Sequence, residues 1–156
     1  DFYGLKVLAS APDDSFGDFK LRFFTPTFSF DEVNLNLYTS SNKTTLLSCS
    51  TTGCNSVTSN SGAQLRFIAQ AELQSVYGIA SSTATQFLKS VGSEVFLTTA
   101  NAATLKYEER WTLTQCGTFS YQLSQGDYVL VNVSGAKWAL AYKQRRCQDG
   151  LLYIYE

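Results

Sequence analysis

Alternation of apolar and polar residues with a period of two runs through most of this chain, and that period predicts strands. In FYGLKVLAS, Leu5, Val7 and Ala9 share one face with Lys6, Leu8 and Ser10 opposite. FKLRFF sets Phe19, Leu21 and Phe23 against Lys20, Arg22 and Phe24, and VNLNLYT sets Val33, Leu35 and Leu37 inward against Asn34, Asn36 and Tyr38. Pro26 separates these two runs because it cannot donate to a ladder. From Thr39 to Gly62 the chain is nearly all Ser, Thr, Asn and Gly, which reads as a long surface excursion of the kind that needs a staple or a function. AQLRFIA restarts a strand. In AELQSVYGIASSTATQFLKS a helical stripe of Leu73, Val76 and Tyr77 competes with a strand at VYGIA, and Gly78 with the Ser/Thr density favours the strand. VFLTT and TLKYE are expected to form a hairpin that turns at A-N-A-A.

The last third is the clearest. WTLTQ, TFSYQL, DYVLVNV, KWALAYK and LLYIY are five short runs divided by C-G, S-Q-G, S-G-A and the loop Q-R-R-C-Q-D-G, which describes an antiparallel meander. Segments starting at Tyr3, Gln64 and Phe119 each open on an alternating strand, and E-V-N-L-N-L-Y-T-S-S-N at 32 echoes E-V-F-L-T-T-A-N at 94. Three such units predict an all-β fold, a β-trefoil-like barrel of short antiparallel strands, with a two-sheet β-sandwich as the alternative. The length of 156 residues fits a single domain spanning 1–156.

Composition changes this picture in one direction. Charged residues are only 16% of the chain, so hydroxyl groups supply much of the polar surface, and a net charge of -1 offers no cationic field for nucleic acid. No apolar run approaches the length of a membrane span, and no charged-then-apolar leader is seen, so a secreted mature chain is expected. Cys49, Cys54, Cys116 and Cys147 form an even set with no histidine to complete a zinc site, which favours two disulfides in an oxidising compartment over a metal. Four cysteines allow three pairings; Cys49 with Cys54 and Cys116 with Cys147 is the expected one. The sequons Asn42-Lys-Thr and Asn132-Val-Ser mark glycosylation candidates.

The absence of histidine removes ordinary Ser-His-Asp and Cys-His catalysis. The adjacent carboxylates Asp13 and Asp14, Asp31 and Glu32, and Glu108 and Glu109 would point to opposite faces of a strand, a poor arrangement for a glycosidase pair. Asp13, Asp14 and Asp18 share a loop that could hold calcium, although a plain turn is favoured. No catalytic residue, metal ligand or cofactor site is therefore expected. Aromatic residues make up 14% of the chain, and rings on an exposed sheet face stack on sugars. Trp111 with Leu113, and Trp138 with Leu140 and Tyr142, share faces at period two, so a core role weighs more than a ligand role for either Trp. Trp138, Tyr142 and Arg145, the last in the one basic knot with Lys143 and Arg146, remain the candidates for ligand contact.

The order W-T-L-T, G-T-F-S-Y, G-D-Y-V-L-V-N-V, S-G-A-K-W-A-L-A-Y, C-Q-D-G-L, together with the opening F-Y-G-L-K-V-L-A-S, resembles the fungal cell-wall mannoproteins and the phialide-associated cell-wall proteins of moulds. A-P-D-D stands where that family has S-G-S, and neither a Ser/Thr-rich stalk nor a lipid-anchor signal is present. The resemblance implies a secreted, glycosylated, wall-associated protein with no catalytic site. The expected function is a non-enzymatic glycoprotein of a fungal cell wall or extracellular matrix. The alternatives are a lectin-like carbohydrate-binding module and a secreted β-trefoil-type protease inhibitor. The expected partner is cell-wall polysaccharide or another extracellular protein.

Overall fold

The computed structural model describes residues 30–70, 73–143 and 145–155. The strands expected at FYGLKVLAS and FKLRFF, and the Asp13, Asp14 and Asp18 loop, lie outside the described residues. Among the described residues twelve strands follow one another: β1 (Val33–Leu35), β2 (Thr45–Ser50), β3 (Gly53–Thr58), β4 (Leu65–Ala69), β5 (Val76–Ser81), β6 (Gln86–Val91), β7 (Glu94–Thr99), β8 (Trp111–Gln115), β9 (Ser120–Gln125), β10 (Tyr128–Ser134), β11 (Lys137–Tyr142) and β12 (Leu152–Tyr153).

Six of them make a barrel. β1 pairs with β4, β4 with β5, β5 with β8, β8 with β9 and β9 with β12, all antiparallel. The ring closes where Tyr38 and Tyr153 exchange backbone hydrogen bonds of 2.9 and 2.8 Å. Such closure removes the open edges that a sheet otherwise exposes. The other six strands are the hairpins β2–β3, β6–β7 and β10–β11, which cap one end. The described chain is thus three units of four strands, β1–β4, β5–β8 and β9–β12, and the barrel expected from the sequence replaces the two-sheet sandwich.

The period-two pattern explains the packing. Phe67, Ile79, Trp111, Leu113, Leu123 and Leu152 point into the barrel and are fully or almost fully buried, and Leu47, Leu88 and Leu130 supply one buried residue from each cap hairpin. Trp111 lies opposite Tyr77 across the β5–β8 ladder, and its indole N–H donates to the Leu88 carbonyl at 3.0 Å, tying barrel to cap. Burial pushes the Tyr77 phenol above its ordinary pKa; a backbone bond at Phe30 opposes this and the charge of Asp31 adds to it.

Several sequence expectations are corrected. The Thr39 to Gly62 stretch is not a loop excursion but carries the β2–β3 hairpin, because Leu46, Leu47 and Cys54 are buried while its hydroxyl residues stay partly or fully exposed. TLKYE is not a strand. Residues Ala102–Thr104 and Tyr107–Glu109 form two turns of 3-10 helix, the second fixed by the Lys106 N–H donating to the Glu109 carboxylate at 2.9 Å, and β7 pairs instead with β6. Val33 is 37% exposed, so only Leu35 and Leu37 of that strand reach the core. The echo at 32 and 94 joins β1, a barrel strand, to β7, a cap strand; these are not equivalent places. The second and third units open at Val76 and Ser120 rather than at Gln64 and Phe119, so only the third was nearly in phase; the start expected at Tyr3 lies outside the described residues. VYGIA is a strand as expected, and Gly78 is needed there because a Cβ would press on Leu105 and Phe87.

Both disulfides are the expected ones, Cys49–Cys54 and Cys116–Cys147. They differ in what they constrain. Cys116–Cys147 spans 31 residues and ties the end of β8 to the loop before β12, whereas Cys49–Cys54 spans 5 and joins residues already opposite in the β2–β3 ladder. By chain entropy, the double variant C116S/C147S is expected to lose about 3–4 kcal/mol in urea denaturation, and C49S/C54S about 2 kcal/mol. Among the described residues no helix is long and apolar enough to cross a membrane.

Candidate functional site

The third unit carries the best-formed surface feature, built from β10, β11 and the loop before β12. Along β11, Trp138, Leu140 and Tyr142 share a face; the first two are buried under the cap, but the strand then runs past the core edge and leaves the Tyr142 ring 63% exposed. Tyr128 lies directly opposite on β10 and is 51% exposed, with ring centroids 6.0 Å apart in an edge-to-face arrangement. Such cross-strand aromatic pairs hold each other in place.

Tyr142 stands between two hollows. One, of about 350 Å³, is lined on its polar side by Thr39, Asn132 and Asp149 and on its apolar side by Val129, Val131 and Trp138. The other, of about 440 Å³, lies against Gly92, Ser93, Tyr128 and Leu140. The polar wall of the first is fixed rather than incidental. Gln122, buried on β9, donates to the Asp149 carbonyl at 2.8 Å and accepts from the Cys147 N–H at 3.4 Å, so with the Cys116–Cys147 bridge it locks the loop. Gly150 has φ +68°, and a side chain there would meet the Leu130 carbonyl. The variant Gly150→Ala is therefore expected to lose about 2–3 kcal/mol, from left-handed strain and overpacking together, read by urea denaturation.

The other two units present different features. In the first, a smaller hollow of about 220 Å³ is lined by Ser48 and Cys49 of β2, Gln64 before β4, and Ser81 at the end of β5 with Ser82 after it. No exposed aromatic borders it. In the second, the 3-10 turn Tyr107–Glu109 is held by Gln125, which donates to the Glu108 and Arg110 carbonyls at 2.8 and 3.1 Å and accepts from Ser90 at 2.7 Å. Tyr107 lies over Gly126, where a side chain would collide with its hydroxyl.

No family model and no curated protein sequence matches the chain. Solved structures do. The designed three-fold symmetric protein ThreeFoil is similar over 79% of this chain and 98% of its own, at 15% identity and a TM-score of 0.58. A protein described as the BEL beta-trefoil is similar over 83% of this chain and 96% of its own, at 14% identity and a TM-score of 0.63. Polyporus squamosus lectin, bound in its structure to a human-type influenza-binding epitope, is similar over 82% of this chain and 50% of its own, at 8% identity and a TM-score of 0.60. The fold is a β-trefoil.

Within this β-trefoil the predicted site residues part company. Tyr142 is the exposed ring expected of a ligand contact. Trp138, for which the core role weighed more, is only 4% exposed; its indole N–H donates to Ser56 Oγ at 2.8 Å, and it lines the hollow. Arg145 is exposed on the same loop but lines neither hollow. Asn42 and Asn132 are both exposed, on the β1–β2 turn and at the end of β10. Thr39, Ser93 and Asp149 were missed, and only the Asp149-Gly150 turn pair before an apolar run could have pointed to one of them. Among the described residues no cluster of His, Cys, Asp or Glu is arranged to hold a metal ion.

Proposed function

We propose that this β-trefoil is an extracellular carbohydrate-binding module whose principal site is the Tyr142 ridge with its two hollows. The observation that carries the reading is the Tyr142 ring, exposed beside a rigid wall that presents Thr39, Asn132 and Asp149. The negative face of an aromatic ring attracts the weakly positive C–H groups on one side of a pyranose. Hydroxyl, amide and carboxylate groups at the rim then satisfy the sugar hydroxyls that stacking leaves pointing sideways. Each part of that demand has a counterpart here. An apolar ligand alone would have no use for the Asp149 carboxylate, and a ring of cations would be needed for an anionic polymer.

Two disulfides and the resemblance to fungal wall proteins support an extracellular setting, and they make wall or matrix polysaccharide the preferred ligand class. The module works by attachment, with no bond made or broken in the ligand. A glycan array that includes β-glucan, chitin and mannan oligosaccharides tests this. Binding to at least one class is the expected result, and a blank array at millimolar ligand would return the protein to a purely structural role.

A further inference from the structure

The two glycosylation sequons sit in opposite chemical situations. Asn42 lies in a turn held by hydroxyl groups: its Oδ1 accepts from Thr44 Oγ1 at 2.8 Å and from the Thr44 N–H at 3.3 Å, while Ser40 Oγ accepts from the Thr44 and Thr45 N–H groups at 3.1 and 3.2 Å. The turn uses only the oxygen of the Asn42 amide. Its Nδ2, the atom that glycosylation modifies, donates to no group among the described residues, and the residue is exposed. At Asn132 the situation is reversed. There Nδ2 donates to the Gly135 carbonyl at 2.9 Å and the Lys137 carbonyl at 3.2 Å, across the turn that joins β10 to β11. That turn is local and closes on the microsecond scale of hairpins.

The flanks of Asn42 are docked on an aromatic cluster. The Tyr155 hydroxyl donates to the Ser41 carbonyl at 2.9 Å, and the Lys43 ammonium lies 4.6 Å from the centre of the Tyr155 ring. Phe119 packs at 4.9 Å from Tyr155 and Tyr38 at 5.8 Å. One face of Tyr155 is thus taken by Lys43, but Phe119 remains 48% exposed beside the sequon turn. An open phenylalanine next to a free sequon amide has the chemistry to receive a sugar.

We propose that Asn42, and not Asn132, carries an N-linked glycan, and that its first sugars cover the Phe119–Tyr155 face. In the modification, Asn42 Nδ2 forms a bond to the anomeric carbon of the first sugar. The bond from that carbon to the diphosphate of a lipid-linked oligosaccharide donor breaks, the amide gives up one proton, and the lipid diphosphate leaves. A glycan on Asn132 would instead take one of the two Nδ2 hydrogens that the turn uses and place a sugar at the hollow that Asn132 lines with Trp138 and Tyr142. The inference depends on passage through a secretory pathway and not on what the Tyr142 site binds.

The test secretes the whole chain from a eukaryotic host and maps its peptides after enzymatic deglycosylation in heavy-oxygen water, which marks each formerly glycosylated Asn. The expected result is a mark on Asn42 and none on Asn132. Thermal unfolding before and after glycan removal reads the covering: the glycosylated protein is expected to melt about 2–4 °C higher. That difference should vanish in Phe119→Ser, which changes a half-exposed residue and leaves the fold intact. An unmarked Asn42 or a marked Asn132 would overturn the choice of site. No melting difference, or one that persists in Phe119→Ser, would overturn the covering of the aromatic face.

Discussion

Replacing Trp111 with alanine is expected to destabilise the protein by about 4 kcal/mol, which is a large share of the total stability of a domain this size. The reasons add. The side chain is fully buried at the start of β8, packed in the same core as Tyr77, Leu88 and Leu113. Truncation opens a cavity that three converging units cannot collapse to fill, because the closed barrel fixes their spacing. It also strips the Leu88 carbonyl of its donor, and a buried unpaired carbonyl carries its own penalty. Trp111→Phe separates the two contributions: it keeps most of the volume and loses only the N–H, so about 1–2 kcal/mol is expected. Chemical denaturation followed by circular dichroism measures both.

The second large effect concerns binding. Tyr142→Ala is expected to weaken glycan binding by about thirtyfold, the equivalent of roughly 2 kcal/mol for an aromatic anchor at the centre of a site. Stability should change by no more than about 0.5 kcal/mol, because most of the ring is in solvent and its edge-to-face partner Tyr128 is itself exposed. Tyr142→Phe, which keeps the stacking face, should stay within a few-fold of the unaltered protein. Isothermal titration with the tightest oligosaccharide from the array reads these differences, and denaturation of the same samples confirms the fold.

How far the chain could be read depended on where its polar residues sit. β8 to β11 were legible because each strand alternates and each turn carries a punctuating residue, with Gly126 and Gly135 at φ +58° and +54° where side chains are strained. The β2–β3 hairpin was hidden by its own surface. Its outward positions are Ser, Thr and Asn, so only Leu46, Leu47 and Cys54 signalled a buried face, and in a hydroxyl-rich segment that is too few to show a period. TLKYE had a strand-like alternation, yet the Glu109 carboxylate caps a turn there and Leu105 goes to a small satellite cluster with Ala80 and Phe87. Local hydrogen bonding decided the outcome, which periodicity does not register.

The site was half legible for a similar reason. Tyr142 was singled out by sharing a face with Trp138 and Leu140, and the structure shows why one residue of that face differs from the other two: the strand outruns the cap. Asp149 and Thr39 could not be found by pattern, since they meet Tyr142 only when the barrel closes and Gln122 with the Cys116–Cys147 bridge sets the loop. The same closure joins distant parts of the chain at the Asn42 turn, where Tyr155 reaches Ser41.

In the proposed function the exposed ring of Tyr142, and not the buried indole of Trp138, is the surface on which a sugar stacks. This is tested most directly by proton NMR saturation transfer from the protein to an array-positive oligosaccharide, run in parallel on the unaltered protein and on Tyr142→Ala. Transfer concentrated on the C–H protons of one pyranose face is expected, together with its loss in the variant. Undiminished transfer to the same protons in a correctly folded Tyr142→Ala protein would contradict it.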